Sequence, residues 1–322
     1  MKKLIMFLNE VDSGKLCKAL DELDKKITEI FKMKEASIEE RIVDELKDAD
    51  PYFFVWFCFL RANFLRGSDV VSNKRFISFL NGTKDRGYYF KGFPDGNLLP
   101  HLRWQYAKHV ERMLSCVREN FSSGYKFVSH IKQLVDGEDD PLLLYLTVVG
   151  EFKTLGHVMG RKGKVSTGIS NKIANAAIGE IGWELSLLRR YGYGKTVERL
   201  LNLDWIRKLF FASFFNVMID IHVKNFFERN LNFKDVDQYA LLLIAKYVKK
   251  DVINRLFKRS FSWVPGEYEK PFFDRYVEFV GANLIEKMIW MAMFVKNNSP
   301  SNWDIKKLKF FEISENHGLK FL

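Results

Sequence analysis

The sequence predicts an all-α protein of two helical lobes. Three observations predict it. Proline is scarce, 7 in 322 residues. Apolar residues recur at helical spacing through long runs. The apolar fraction of 47%, with 30 phenylalanines, is enough for a large core in a chain of this length.

The elements follow in order. Leu16, Leu20, Leu23, Ile27, Ile30 and Phe31 mark one face of a helix whose other face is Lys and Glu. The segment 37–40, Ser-Ile-Glu-Glu, has the form of a capping box and opens a helix to about Lys47. Asp50 as N-cap and Pro51 at the first helical position start the next, which runs through Phe64 and stops at Gly67. A further helix covers 72–80. The glycine- and proline-rich stretch 83–100 is a loop, within which 88–90, Tyr-Tyr-Phe, can pair briefly as a strand. Helices are expected over 100–120 and 125–135. The acidic turn 137–141 is the expected boundary between an N-terminal lobe, 1–138, and a C-terminal lobe, 139–322. Beyond it lie a helix at 142–155, one at 170–191, two within 197–231 with Asn202-Leu-Asp204 capping the second, and further helices at 235–257, 270–296 and 302–315.

The formal charge is +11 and the pI about 9.3. Such a balance speaks of partners. Nucleic acid comes first and an anionic surface second. Cys17, Cys58 and Cys116 are scattered and odd in number, which predicts neither disulfides nor a zinc site and suits a reducing, cytoplasmic location. The N-terminal apolar run ends at Asn9-Glu10, too short for a signal h-region, and no run is long enough for a membrane span.

Between Phe152 and Gly179 there is no Asp or Glu. Within that window Arg161, Lys162, Lys164, Ser166, Thr167 and Lys172 combine cations, hydroxyls and glycines without a carboxylate, a composition that suits phosphate oxygens. A solvated loop between two helices has the same look. The spacing is not that of a Walker A loop. Next comes a Gly-x-Gly turn, Gly192-Tyr-Gly194, followed by Lys195 and Thr196. It reads either as a helix C-cap or as a hairpin whose amides approach a phosphate.

Downstream stands Asp220-Ile-His-Val223, with Arg229 after it. The pair of segments resembles the helix-hairpin-helix DNA glycosylase superfamily. Gly192, Gly194, Lys195 and Thr196 look like its hairpin, and Asp220, His222, Val223 and Arg229 like its catalytic segment. The likeness covers about forty residues. The Leu-Pro before the first glycine is missing, and Lys195 directly follows the second. The resemblance implies a base-excision glycosylase or lyase that extrudes a base. Asp220 would stabilise the oxocarbenium charge, Lys195 would be the attacking amine, and aromatics such as Trp183, Tyr191, Tyr193 and Phe227 would stack on the base or fill the core.

Two other stretches carry cations. His101, Trp104 and His109 lack the spacing of a metal site, but Arg103, Lys108, Arg112 and Arg118 could form a basic stripe or a solvated face. The stretches 246–250 and 255–259 interleave aromatics with Lys and Arg. No cofactor fingerprint is present. The sequence thus predicts a nucleic-acid partner, DNA before RNA, and a repair enzyme. The alternative is a non-enzymatic basic helical subunit of a defence or replication complex.

Overall fold

The computed structural model describes residues 1–35, 38–64, 69–83, 85–90, 107–155, 171–217, 219, 221–231 and 237–321. Among these residues the fold is all-α, with sixteen α-helices and no strand. The chain forms two compact units. One is Met1–Lys34 with Val217–Leu322, and the other is Glu35–Asn216. This division differs from the boundary expected at 138/139, which falls inside the second unit.

The first unit opens with α1 (Lys2–Glu10) and α2 (Ser13–Glu35). The N-terminal apolar run is the inward face of α1. Leu4, Phe7 and Leu8 are one face of an amphipathic turn-and-a-half and are buried.

The second unit holds α3 (Ile38–Leu46), α4 (Pro51–Ala62), α5 (Asp69–Gly82), α6 (Ala107–Phe121), α7 (Gly124–Asp136), α8 (Pro141–Leu155), α9 (Asn171–Arg190), α10 (Gly194–Leu201) and α11 (Asp204–Ala212), then a 3-10 turn at Ser213–Phe215. Helix α4 is its axis. Every residue from Phe53 to Ala62 is buried. A helix apolar all round belongs inside. Asp50 starts it as expected, accepting from the Tyr52 and Phe53 amides, both at 3.0 Å. The Tyr89 hydroxyl donates to the same oxygen at 2.8 Å.

Around α4 the rings of Phe57, Phe64, Phe76 and Phe79 form one aromatic cluster, and Phe59, Phe127 and Phe152 another. Helix α9 lies against both α4 and the 3-10 turn. It comes that close because it carries Gly182 where a Cβ would sit 2.6 Å from Ser213 Oγ. Asp140 caps α8 as expected, accepting from the Leu142 and Leu143 amides. The cap expected at 202–204 is absent. Asp204 is the first residue of α11 and pairs with Arg207 instead.

The strand expected at 88–90 does not form. Tyr88 and Tyr89 carbonyls do accept from Gly124 and Tyr125. However, Arg86, Gly87 and Tyr88 have φ of 35, 72 and 67°, a left-handed run that no strand contains. The turn is held by Trp56 Nε1, which donates to the Gly87 carbonyl at 3.0 Å.

One charged cluster interrupts the apolar interior. Arg61, at the end of α4, places its Nε 2.6 Å from Glu184 Oε1 and 3.6 Å from Glu180 Oε2. Glu184 has no exposed surface. Burial raises its carboxyl above the ordinary value, against the opposing pull of Arg61.

Return to the first unit is through α12 (Ile221–Leu231), α13 (Gln238–Tyr247), α14 (Lys250–Phe261), α15 (Gly266–Asn298) and α16 (Lys309–Asn316). The single helix expected over 235–257 is broken at Val248, which is extended at φ −85° and ψ 136°. Asn9 fills the break. Its side-chain amide donates to the Tyr247 carbonyl at 2.9 Å and accepts from the Lys249 amide at 2.8 Å. Phe31 of α2 stacks on Phe294 of α15, and Arg259 of α14 pairs with Asp21 and Asp24 of α2. Among the described residues no helix is long and apolar enough to cross a membrane.

Arg61→Ala leaves the Glu184 carboxylate buried without its guanidinium. The expected loss is about 3–5 kcal/mol, read from the denaturant midpoint, with most of it restored when Glu184 is replaced by Met in the same chain.

Candidate phosphate-binding junction

The junction between α9 and α10 is built by helix-end chemistry. Helix α9 stops when Gly192 turns left-handed, at φ 88°. The Gly192 amide then donates to the Arg189 carbonyl at 3.1 Å and the Tyr193 amide to the Leu188 carbonyl at 3.0 Å. These two bonds are those of a Schellman cap. Of the two readings of the turn, this is the helix C-cap, and the Gly192 amide is spent on α9.

The free donors lie one step further on. Helix α10 begins with no side-chain cap, and its first closing bond is from Val197 to the Tyr193 carbonyl. The amides of Gly194, Lys195 and Thr196 therefore meet no acceptor among the described residues. Three open N–H groups at the positive end of a helix dipole favour an anion.

The same turn is fixed to the rest of its unit. The Thr196 hydroxyl donates to the Lys47 carbonyl at 2.7 Å, and Arg199 Nη2 donates to the Ala49 carbonyl at 2.8 Å. The Tyr191 hydroxyl donates to Glu39 Oε2 at 2.7 Å, and Arg190 Nη1 stands 3.7 Å from Glu39 Oε1. Burial, and then the Glu39 carboxylate, raise the Tyr191 hydroxyl above its ordinary value. It therefore stays a donor to Glu39 and holds the end of α9 over the start of α3. The donor face is held in place before any ligand arrives.

Two cations flank that face. Lys195 is exposed in the first turn of α10. Arg189 folds over Gly194, so closely that a Cβ there would lie 2.2 Å from Nη1. Neither has a carboxylate within ion-pair distance among the described residues, whereas Arg190, Arg207 and Lys208 nearby in sequence each do. A guanidinium, an ammonium and a helix N-terminus repel one another, and an anion between them removes the repulsion.

Of the residues expected at a site, the structure brings together Gly192, Gly194 and Lys195 and adds Arg189. Arg189 was missed. Its only sequence signal is a basic residue in the last turn of a helix. Arg161, Lys162, Lys164, Ser166, Thr167 and Asp220 lie outside the described residues. Lys172 falls in the first turn of α9, with its side chain outside them. In the segment expected to be catalytic, Val223 is in the core, and His222 Nδ1 stands 3.0 Å from the Asn297 side-chain amide nitrogen. Phe227 is fully buried and is not a base platform. Of the basic stripe expected on 100–120, Arg118 alone has a described side chain, in the last turn of α6. No cluster of three metal-ligating side chains occurs among the described residues.

No family model matches this chain, and no curated protein or solved structure is significantly similar to it.

Gly192 has open space where a Cβ would go, so its strain is purely conformational. Gly192→Ala is expected to lose about 1 kcal/mol in thermal or denaturant unfolding while leaving the core packing intact.

Proposed function

We propose that this chain binds nucleic acid, gripping a phosphodiester backbone at the α9–α10 junction. One observation carries the reading: the uncapped start of α10 has Arg189 folded over Gly194 and exposed Lys195 in its first turn, two cations that no described carboxylate neutralises. A net charge of +11 supports it, by drawing a polyanion from a distance. Contacts of this kind position a strand and read no sequence. Arg161, Lys162, Lys164, Ser166, Thr167 and Lys172 would add backbone contacts from the acid-free window.

A second reading keeps this grip and adds base excision on DNA. It is favoured by the position of Lys195, an exposed amine beside the donors that would hold the backbone. There its Nζ would attack C1′ of an extruded nucleotide, and the base would leave with a proton. Without that chemistry the chain is a binding subunit of a larger assembly.

Fluorescence anisotropy with labelled duplex DNA over a salt series checks the first reading. Affinity should fall steeply with salt. Arg189→Gln with Lys195→Gln should weaken all sequences alike and reduce the log–log slope by about 2. Unchanged affinity in that double variant would refute the junction as the grip.

Borohydride trapping on duplexes carrying damaged bases checks the second. A covalent adduct that disappears in Lys195→Ala is the expected result for a glycosylase. No adduct on any lesion, with binding retained, leaves the binder.

A further inference from the structure

Helix α13 buries one face and leaves another uncovered. Leu241, Ile244 and Ala245 are in the core. On the far side Tyr239, Leu243 and Tyr247 are 69, 44 and 60% exposed. Their spacing of four residues puts them in one row, about 12 Å long at the helical rise. Lys246 borders this row, about 20° round the helix from Tyr239 and about 100° from Tyr247. It is exposed and has no carboxylate partner among the described residues.

The C-terminal end of the row is cationic. Lys249 Nζ donates to the Asn9 carbonyl at 3.2 Å and pairs with no described carboxylate. Lys250 and Lys270 share a single acid, Asp274, at 2.8 and 2.5 Å. Their hydrogen bonds hold the Asp274 carboxyl down at about 2, so it is ionised and still outnumbered. Asp251, in the first turn of α14, and Glu10, next to Asn9, are further acids in the neighbouring segments. Asp237, at the other end, is engaged as the N-cap of α13.

We propose that this row is a platform for single-stranded nucleic acid. The rings of Tyr239 and Tyr247 stack on bases, and Lys246 and Lys249 face the backbone. The composition decides against a protein partner. Tyrosine is common at the centres of protein interfaces, but lysine is depleted there, and here exposed lysines border the row and stand at its end. Base stacking on an exposed ring needs no particular sequence, because every base has a π-face. It does need a free base face, which a duplex hides and a single strand offers. The proposal shares with the preceding one only the class of partner. It uses different residues, in the other unit.

The test is anisotropy of the full chain with a short labelled oligothymidylate, and with a duplex, at one salt concentration. Tyr239→Ala and Tyr247→Ala should each weaken single-strand binding at least about fivefold and leave duplex affinity unchanged. Lys246→Gln should lower the salt slope by about one while tyrosine fluorescence is still quenched on binding. Arg189→Gln with Lys195→Gln should retain that quenching, which separates this face from the α9–α10 junction.

Single-strand affinity unchanged in the double tyrosine variant would overturn the proposal. So would equal losses on single strand and duplex, or a wild-type chain that binds duplex and not the oligothymidylate. A wild-type dimer in sedimentation that both tyrosine variants dissociate would also overturn it, and would make the row a contact between copies.

Discussion

Helix α4 has no side to give to water, and the second unit is arranged around that constraint. Ten successive residues must be covered at once. Aromatic rings from α5, α7 and α8 cover part of the helix. Helix α9 covers the rest and brings two carboxylates to the one charge α4 carries. Arg61 is the last obligation of the buried helix, and Glu184 meets it from the middle of α9. Such a pair is weak evidence of net stability, because each charge also loses its water. Its effect is selective. A different register of α9 against α4 would leave a guanidinium or a carboxylate in an aromatic interior with nothing to bind, so the pair specifies one alignment of the two helices.

That alignment has a consequence at the other end of α9. Glu184 lies near the middle of the helix and Arg189 in its last turn, so fixing the first fixes the second. Tyr191, Thr196 and Arg199 then tie the turn to the ends of α3, each through one hydrogen bond at 2.7–2.8 Å. The cations that remain without acids stand on a rigid support. Pre-organisation of this kind lowers the ordering cost when an anion binds.

Much of the fold is legible in the sequence, for a physical reason. Asp50-Pro51 and Asp140-Pro141 are helix starts because an Asx oxygen can satisfy amides two and three residues on, an interaction written within four residues. The all-apolar stretch after Asp50 can only be a buried helix. What was not legible depends on residues far apart. The break at Val248 carries no glycine or proline, and it is stabilised by Asn9, which no local pattern links to it. The first unit joins the two ends of the chain through contacts such as Phe31 with Phe294, and composition gives no hint of that. At the site, the Gly-x-Gly turn was legible as a turn. Which amides it leaves open depends on cap geometry, and Arg189 matters only because α10 lacks a cap.

The discontinuous first unit also bears on how the chain is made. Helices α1 and α2 leave the ribosome first, yet the helices that bury Leu4, Phe7 and Phe31 lie beyond residue 216. At ordinary rates of translation the interval from residue 35 to residue 322 is roughly 15–60 s. During that time the inserted unit can fold to completion while the leading helices present apolar faces to whatever is near. The order of synthesis and the order of folding are therefore inverted for this unit.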